Sequence, residues 1–303
     1  MIFDKKTAGG PAGKTLIIIP LAPRALRKSN STTLQFGESA SAGQIEYSGP
    51  VRFYTASETH QGTRDYQQDA LYVADNVSVR SGETARVFGV LCDGMGGMQS
   101  GGEASRLVVS EMRRELENLK DDQNISAFFR DRIHALDDML LKEFTDGSAG
   151  TTMVSVVAIE NKLFWGSIGD SRVYLIRGSE ILQVTRDHNY YLELLEQVEK
   201  GKLTQEEADN NPKKEALISF IGSGNAGLID ANTEPFLLTN GDIVLLCSDG
   251  INKSLTDQEI RKLITNNAHD LKEAASTLVR TAIDIDMDPK DNTSAILIQY
   301  IGN

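Results

Sequence analysis

The alternation of apolar and polar residues predicts a chain built largely of short strands. Before residue 51 the periodicity is weak, and only the apolar run at residues 15–19 indicates a strand. After residue 51 the runs are short, apolar or alternating, and bounded by polar or glycine-containing segments, as strands of a half-buried or buried sheet are. The predicted strands are residues 51–57, 71–74, 87–92, 152–159, 163–168, 172–176, 181–184, 236–238, 243–247 and 294–301.

Two pairs of helices separate these groups of strands. In each helix apolar residues recur every three or four positions, which gives it one apolar face that can cover a sheet. The separators at residues 160–161, 169–171 and 178–179 are short enough for hairpins, which predicts antiparallel pairing. This order of strands and paired helices predicts a layered α+β sandwich. The predicted helices are residues 103–119, 125–144, 256–265 and 271–285.

The sequence divides at residue 50 into an extension and a folded domain. Residues 1–50 are rich in glycine, serine, alanine and threonine, and we predict a partly flexible N-terminal extension. Residues 51–303 form the domain. Within it, residues 188–220 are charged and interrupted, with helical segments at 190–200 and 204–209, and we predict an exposed insertion over one edge of the sheet.

Composition and charge exclude two classes of protein. The chain is 40% apolar, but no apolar stretch approaches the roughly 20 residues of a membrane-spanning helix. The net charge is −12; the first 50 residues carry six basic and three acidic side chains, a net of +3, so the remainder carries −15. Such an acidic body repels nucleic-acid phosphates, and we expect no nucleic-acid partner. We also suggest that the basic extension lies against the acidic domain.

The location of the chain is predicted from its first apolar run. Residues 15–21 leave a signal peptide open, but a long preceding segment and the lack of a clear cleavage site favour the cytoplasm. Cys92 and Cys247 each lie in an apolar run just before an aspartate. A disulfide between neighbouring strands stays open from sequence, although buried thiols in the core are the favoured interpretation.

Four short acidic segments carry the candidate chemistry. They contain Asp69, Asp93, Asp249 and Asp291, each beside the end of a predicted strand, and glycines follow Asp93 and Asp249 directly. A carboxylate at the end of a buried strand is costly unless a cation or hydrogen bonds compensate it. Several of them at one end of a sheet predict a site for hard cations such as Mg²⁺ or Mn²⁺.

In this order the segments resemble the metal-dependent protein Ser/Thr phosphatases of type 2C, bacterial members in particular. The resemblance runs from about residue 51 to residue 300 and rests on several motifs in the family's order. They are Gly62-Thr63-Arg64, Gln67-Gln68-Asp69, Asp93-Gly94-Met95-Gly96-Gly97, Gly101-Gly102-Glu103-Ala104-Ser105, Ala149-Gly150-Thr151-Thr152, Gly169-Asp170-Ser171-Arg172, residues 182–188, Cys247-Ser248-Asp249-Gly250 and Asp291-Asn292.

The resemblance implies a fold and a metal centre. The fold is a four-layer α-β-β-α sandwich, with two mainly antiparallel sheets flanked by helix pairs and a flap at about residues 188–220. The centre holds two Mn²⁺ or Mg²⁺ ions, bridged by Asp93; the Gly94 carbonyl holds the second ion, Asp249 and Asp291 bind the first, and Asp69 lies close by through a bound water. A bridging hydroxide then attacks the phosphorus in line.

The resemblance also assigns two further residues. Arg64 binds the substrate phosphate, for which a guanidinium is well suited. Asp170, with Asp249, matches a third, weaker metal site. Three residues depart from the pattern. Gln67 stands where many members have Asn, and Gln68 is neutral where many members are acidic, which loosens the second ion. Met95 stands where animal relatives carry a histidine proposed as the general acid.

Three functions remain open at this point. The leading hypothesis is a protein phosphatase that hydrolyses phosphoserine and phosphothreonine in proteins, acts as a monomer, and works opposite a cognate Ser/Thr kinase. The alternative is a weak or inactive relative that binds phosphoproteins as a regulatory module. The third is a two-metal hydrolase of small phosphates. The flap either selects phosphoprotein substrates or is a solvated connection.

Overall fold

The structure is a computed structural model that describes residues 50–74, 77–78, 84–96, 100–120, 124–145, 147–224, 226–285 and 290–302. Nearly all of the predicted extension, residues 1–49, lies outside this part of the chain, as does the strand predicted at residues 15–19.

Two antiparallel sheets form the centre of the domain. Within the described residues one sheet has six strands in the order β3-β1-β13-β12-β8-β9. Its strands are β1 (Arg52–His60), β3 (Val77–Ser78), β8 (Arg172–Arg177), β9 (Glu180–Gln183), β12 (Ile243–Cys247) and β13 (Thr293–Ile301).

The second sheet, counted over the same residues, has seven strands and follows the order β10-β7-β6-β4-β2, with β11 paired to β7 and β5 paired to β4. Its strands are β2 (Asp69–Val73), β4 (Arg86–Gly96), β5 (Ala149–Thr151), β6 (Met153–Ile159), β7 (Lys162–Ile168), β10 (Asp230–Ala231) and β11 (Phe236–Leu237).

Helices cover the outer face of each sheet. One outer core lies between the seven-stranded sheet and the helices α1 and α2, and the other lies between the six-stranded sheet and the helices α5 to α7. A third core fills the space between the two sheets. The predicted four-layer α-β-β-α fold is therefore confirmed. The helices are α1 (Ser100–Glu117), α2 (Ile125–Glu143), α3 (Tyr190–Glu199), α4 (Gln205–Asp209), α5 (Asp249–Asn252), α6 (Asp257–Asn266) and α7 (Leu271–Asp284).

The continuous apolar runs of the central strands follow from burial on both faces. In β4, Val87 and Leu91 face the core between the sheets, whereas Val90 and Cys92 face the helices, because successive side chains of a strand point to opposite sides. Cys247 at the end of β12 faces the other outer core. Both cysteines are buried free thiols in separate cores, so the alternative of a disulfide between them is wrong.

One predicted hairpin is also wrong. The separators at residues 160–161 and 178–179 do join antiparallel neighbours, β6 with β7 and β8 with β9. However, β7 belongs to the seven-stranded sheet and β8 pairs with β12 in the six-stranded one. Residues 169–171 therefore carry the chain from one sheet to the other. Gly169 makes this sharp passage with φ +102, and a Cβ there would lie 2.6 Å from the Thr152 side chain.

The segment predicted as a flap contains α3 and α4, at the positions expected for its two helical pieces. A backbone bridge from Asn189 to Leu217 joins its two ends, and a bridge from Thr151 to Ile221, the residue after the segment, fastens it to β5. Among the residues that the structure describes, no helix has both the length and the apolar character needed to cross a bilayer.

Candidate active site

The predicted acidic residues come together at one end of the sandwich, from both sheets. Asp69 begins β2 and lies directly opposite Asp93 of β4 in the seven-stranded sheet. Asp249 begins α5, two residues after the end of β12, and Asp291 lies two residues before β13. Because β12 and β13 are antiparallel neighbours, the end of one meets the start of the other, with Cys247 opposite Ala295.

Ser248 connects the two sheets at this point. Its hydroxyl donates a hydrogen bond of 2.8 Å to Oδ2 of Asp69 and accepts one of 3.0 Å from the backbone N–H of Ser294. The side chain is fully buried. The serine of the motif thus fixes the Asp69 carboxylate of one sheet to the first residues of β13 in the other.

Two threonines hold the backbone of Asp93. The Asp93 N–H donates to the Thr152 hydroxyl over 3.0 Å, and the Asp93 carbonyl accepts from the Thr151 hydroxyl over 2.9 Å. Thr152 also exchanges a 2.7 Å hydrogen bond with Ser171 in the passage between the sheets. The Ala149–Thr152 motif therefore holds the Asp93 backbone directly, and the Gly169–Arg172 motif supports it through Ser171.

Gly94 follows Asp93 in a space that admits no side chain. A Cβ built at this position would lie 2.1 Å from the carbonyl oxygen of Gly101, at the start of α1. The Gly94 N–H donates to the carbonyl of Gln68 over 3.1 Å. The Gln68 side chain donates to the carbonyl of Gly96. This close approach brings β4, α1 and the residue before Asp69 together.

Asn292 holds the loop that carries Arg64. Its Oδ1 accepts from the Gln68 N–H over 2.8 Å, and its Nδ2 donates to the carbonyls of Gln61, at 2.7 Å, and Tyr66, at 3.2 Å. Arg64 lies at the rim, where Nη2 forms a 2.8 Å ion pair with Oδ2 of Asp291. The candidate phosphate-binding residue is thus beside the acidic cluster and half exposed.

The carboxylates repel one another strongly. Burial raises the pKa of Asp93 well above its ordinary value, and the neighbouring Asp69, Asp249, Asp170 and Asp291 raise it further. Burial raises the pKa of Asp69 to about 7, although the hydroxyls of two serines, including Ser248, oppose the rise. Burial, with the Asp249 charge, also raises the pKa of Asp170 to about 7. A concentration of negative charge of this kind favours cation binding.

The donor atoms fit a hard cation. Oδ1 of Asp69 and Oδ1 of Asp249 are both buried without a hydrogen-bond partner, an arrangement that is costly unless an ion fills it. Two further carboxylate oxygens have partners within the protein. Oδ2 of Asp249 pairs with Nζ of Lys253, and Oδ2 of Asp291 pairs with Arg64. In this arrangement no three His, Cys, Asp or Glu side chains of the described residues are already placed as a ligand set.

His188 is a structural residue. It is 2% exposed, its Nδ1 accepts a hydrogen bond from the Gly169 N–H over 3.2 Å, and its own N–H donates to the Gly169 carbonyl. Burial lowers its pKa to about 4, so the ring is neutral near pH 7. It supports the passage between the sheets, next to Asp170.

Comparison with known proteins places the chain in a family. The family described as Protein phosphatase 2C matches residues 54–194. Protein phosphatase PhpP of Streptococcus pneumoniae is 32% identical over 213 residues, which are 69% of this chain and 84% of that protein. The chain belongs to the protein phosphatase 2C family. The resemblance that the motifs indicated is confirmed.

Solved structures of protein phosphatase 2C relatives share the fold. The structure of the serine/threonine phosphatase Stp1 from Staphylococcus aureus covers 85% of this chain and 98% of its own, with 26% identity and a TM-score of 0.66. The catalytic domain of the serine threonine protein phosphatase PstP, solved in complex with two manganese ions, covers 83% of this chain and 99% of its own, with 24% identity and a TM-score of 0.63.

Within this protein phosphatase 2C site, Asn292 and Lys253 make contacts that the sequence did not reveal. Asn292 belongs to the Asp291-Asn292 motif, and its side-chain amide holds the loop that carries Arg64. Lys253 stands four residues after Asp249, the spacing of neighbours on a helix. This spacing indicates a contact only where the residues are helical, and the sequence did not predict the short helix α5.

Proposed function

We propose that the chain hydrolyses phosphoserine and phosphothreonine in proteins, with two Mn²⁺ or Mg²⁺ ions held by Asp69, Asp93, Asp249, Asp291 and the Gly94 carbonyl. Membership of the protein phosphatase 2C family supports the reaction. The observation that carries the metal assignment is the pair of buried carboxylate oxygens without partners, one from each sheet, on Asp69 and Asp249.

When bound, two divalent ions supply the Lewis acidity that activates water and polarises the phosphoryl group. The chain's part is to hold the donors. Asp93 lies opposite Asp69 and interacts electrostatically with Asp249 and Asp291, which suits it to join both ions. Arg64 is paired with Asp291 in this structure; if Asp291 held an ion instead, the Arg64 guanidinium would be available to the substrate phosphate.

Neither cysteine, nor His188, is suited to form a covalent phosphoenzyme. Burial raises the pKa of Cys247 to about 12 and that of Cys92 well above its ordinary value, and both thiols are fully buried. His188 is buried and neutral. Met95 at the site has no proton to give. Direct hydrolysis by activated water therefore accounts for the retained residues better than a covalent phosphoenzyme does.

The remaining assignments complete the proposal. Residues 51–303 act as the catalytic domain, the flap at about residues 188–220 contacts the phosphoprotein, and a Ser/Thr kinase opposes the enzyme. We place the protein in the cytoplasm as a monomer. A non-catalytic binding module would have no need of the acidic residues, all of which are retained and brought together around Asp93.

The decisive experiment is a phosphatase assay on a phosphothreonine peptide with added Mn²⁺ or Mg²⁺, and with EDTA. We expect turnover that depends on the metal, and loss of at least ~1,000-fold in Asp249→Ala, because transition-state stabilisation by a bound ion is removed. Mn²⁺ binding is measured on the same proteins by calorimetry. Full turnover in EDTA, or in Asp249→Ala, would overturn the assignment.

A further inference from the structure

The short helix α5 places a lysine inside the acidic cluster. Asp249 is the first residue of this helix, and the Lys253 N–H donates to the Asp249 carbonyl over 2.9 Å. One helical turn therefore brings the two side chains to the same side, where Nζ of Lys253 pairs with Oδ2 of Asp249. Lys253 and Asp291 also line one cleft beside the site.

This ion pair differs from the ordinary helical pairs on the surface. The side chain of Asp249 is 11% exposed, compared with 43% for Glu117 in its pair with Arg113. The Lys253 side chain is 41% exposed, and its Nζ reaches the buried carboxylate of Asp249. Because one partner is buried, water screens this pair less than it screens a pair in which both partners are exposed, so the lysine charge acts on its neighbours.

Those neighbours are the carboxylates of the candidate third metal site. Lys253 interacts electrostatically with Asp249, Asp170 and Asp291, in that order of size. At Asp170 it opposes the effect of burial and of Asp249. Asp170 is 6% exposed and Asp249 8% exposed, so both carboxylates need a compensating cation.

The two oxygens of Asp249 have different environments. Oδ1 is buried without a hydrogen-bond partner, whereas Oδ2 is held by Lys253. Asp249 Oδ1 is therefore the oxygen left open to a divalent ion, whereas Lys253 already neutralises Oδ2. A further ion held by Asp170 and Asp249 would be repelled by the ammonium group of Lys253.

We propose that Lys253 is an internal cation at the position of the third metal ion, so that this chain binds two divalent ions and uses a lysine in place of a third. The inference rests on the proposed function, because it assumes the two-ion centre. It makes Lys253 a residue that sets the number of metal ions. It also makes the metal-free site less repulsive than its count of carboxylates implies.

The test counts Mn²⁺ bound to the full chain by equilibrium dialysis, at free Mn²⁺ from micromolar to millimolar. We expect the unmodified chain and the control Lys262→Gln, an exposed lysine on α6, to saturate at two ions. Lys253→Asp, which exchanges the cation for a ligand, should add a third ion, bound at least tenfold more tightly than any third ion that the control takes up at millimolar Mn²⁺. Adding Asp170→Asn to Lys253→Asp should return the count to two.

A second variant guards against misfolding of the first. Lys253→Gln keeps the length of the side chain without its charge, and it should lower the melting temperature in EDTA more than Lys262→Gln does. Saturating Mn²⁺ should remove this difference. Three ions on the unmodified chain, or two ions on folded Lys253→Asp with no effect of Lys253→Gln in EDTA, would overturn the role of Lys253 and leave the two-ion enzyme in place. An unmodified chain that binds no Mn²⁺ would instead overturn the proposed function itself.

Discussion

A single buried amide holds the loop that carries Arg64, the candidate phosphate-binding residue. Asn292 is 3% exposed and bonds to the backbone of Gln61, Tyr66 and Gln68, so both ends of the loop that carries Arg64 depend on it. The two ionic residues of the rim, Arg64 and Asp291, are by contrast half-exposed and paired mainly with each other. Rigidity at the rim thus comes from a neutral side chain.

We expect Asn292→Ala to destabilise the domain and to weaken substrate binding. Three backbone groups lose their partner, and leaving such groups unsatisfied costs about 1–3 kcal/mol each when they stay buried. Urea unfolding should show a loss of that order, and kcat/KM on a phosphopeptide should fall through a raised KM. The control is Asn118→Ala, an exposed asparagine that bonds to one helical carbonyl. Equal effects of the two substitutions would contradict this role.

The absence of a side chain at Gly94 is a second requirement of the site. Alanine there would place Cβ 2.1 Å from the Gly101 carbonyl, so either β4 or α1 must move. We expect Gly94→Ala to cost roughly 1–3 kcal/mol in the free energy of unfolding and to lower kcat at least tenfold. Gly178→Ala, which meets nothing within 4 Å but has φ +55, is the control for backbone strain. Its kcat should be unchanged, and an equal loss of kcat in both variants would refute the steric explanation.

At the scale of elements, apolar periodicity predicted most strands and the four long helices, because burial of a face leaves a repeating pattern. It could not distinguish the passage at Gly169 from a hairpin. Both use a short turn with a residue at positive φ, Gly169 here and Glu160 or Gly178 in the hairpins, and only the partners of β8 decide which sheet it joins. The sequence did not predict α5, of four residues, or β10, of two, because each is too short for its apolar pattern to repeat.

The candidate site was predictable to the level of backbone position. Aspartates at strand ends converge once the strands are antiparallel neighbours, as Asp69 and Asp93 are. The ion-pair and hydrogen-bond partners of each side chain were not predictable. The pairing of Asp249 with Lys253 depends on a helix of one turn, and the pairing of Arg64 with Asp291 joins residues far apart in the chain.

The flap has its own internal connection, from α3 to α4. The Tyr191 hydroxyl donates to Oδ1 of Asp209 over 2.5 Å, and Gln205 donates to both of them, at 3.0 and 2.7 Å. All three side chains belong to exposed contacts, and only Leu194 of α3 is buried. This polar group therefore links the two helices directly, beside the buried Leu194 of α3 and Ala208 of α4.

If the flap contacts phosphoproteins, loosening it should affect large substrates only. Removing one hydrogen bond costs about 0.5–1.5 kcal/mol, so Tyr191→Phe should lower kcat/KM for a phosphoprotein roughly two- to tenfold. Hydrolysis of p-nitrophenyl phosphate, which needs no flap contact, should be unchanged. Tyr54→Phe on β1 is the matched exposed control. Equal losses on both substrates would show that the flap supports the catalytic centre and does not select substrates.

At the scale of the whole molecule, the acidic cluster makes stability depend on metal and pH together. Its carboxylates come from both sheets, so their repulsion acts between the two halves of the sandwich. Residues after 50 carry most of the negative charge, a net of −15 against +3 in the extension. Divalent ions would relieve the repulsion where it is greatest, and would thereby join the sheets.

We therefore expect the metal-free chain to lose stability as pH rises from about 5.5 to about 7.5. Burial raises the pKa of Asp69 from 3.8 to about 7, so in this window the folded chain holds a proton that the unfolded chain has released, and the free energy of unfolding falls with rising pH. His188 acts in the opposite sense, because burial lowers its pKa to about 4 and removes stability as pH falls below about 6.5.

Asp69→Asn isolates the carboxylate: in EDTA its melting temperature should exceed that of the unmodified chain by more at pH 7.5 than at pH 5.5. Saturating Mn²⁺ should make the unmodified chain the more stable of the two at pH 7.5, since the ionised Asp69 then has a cation beside it. A difference in melting temperature that is independent of both pH and Mn²⁺ would exclude Asp69 from the metal centre.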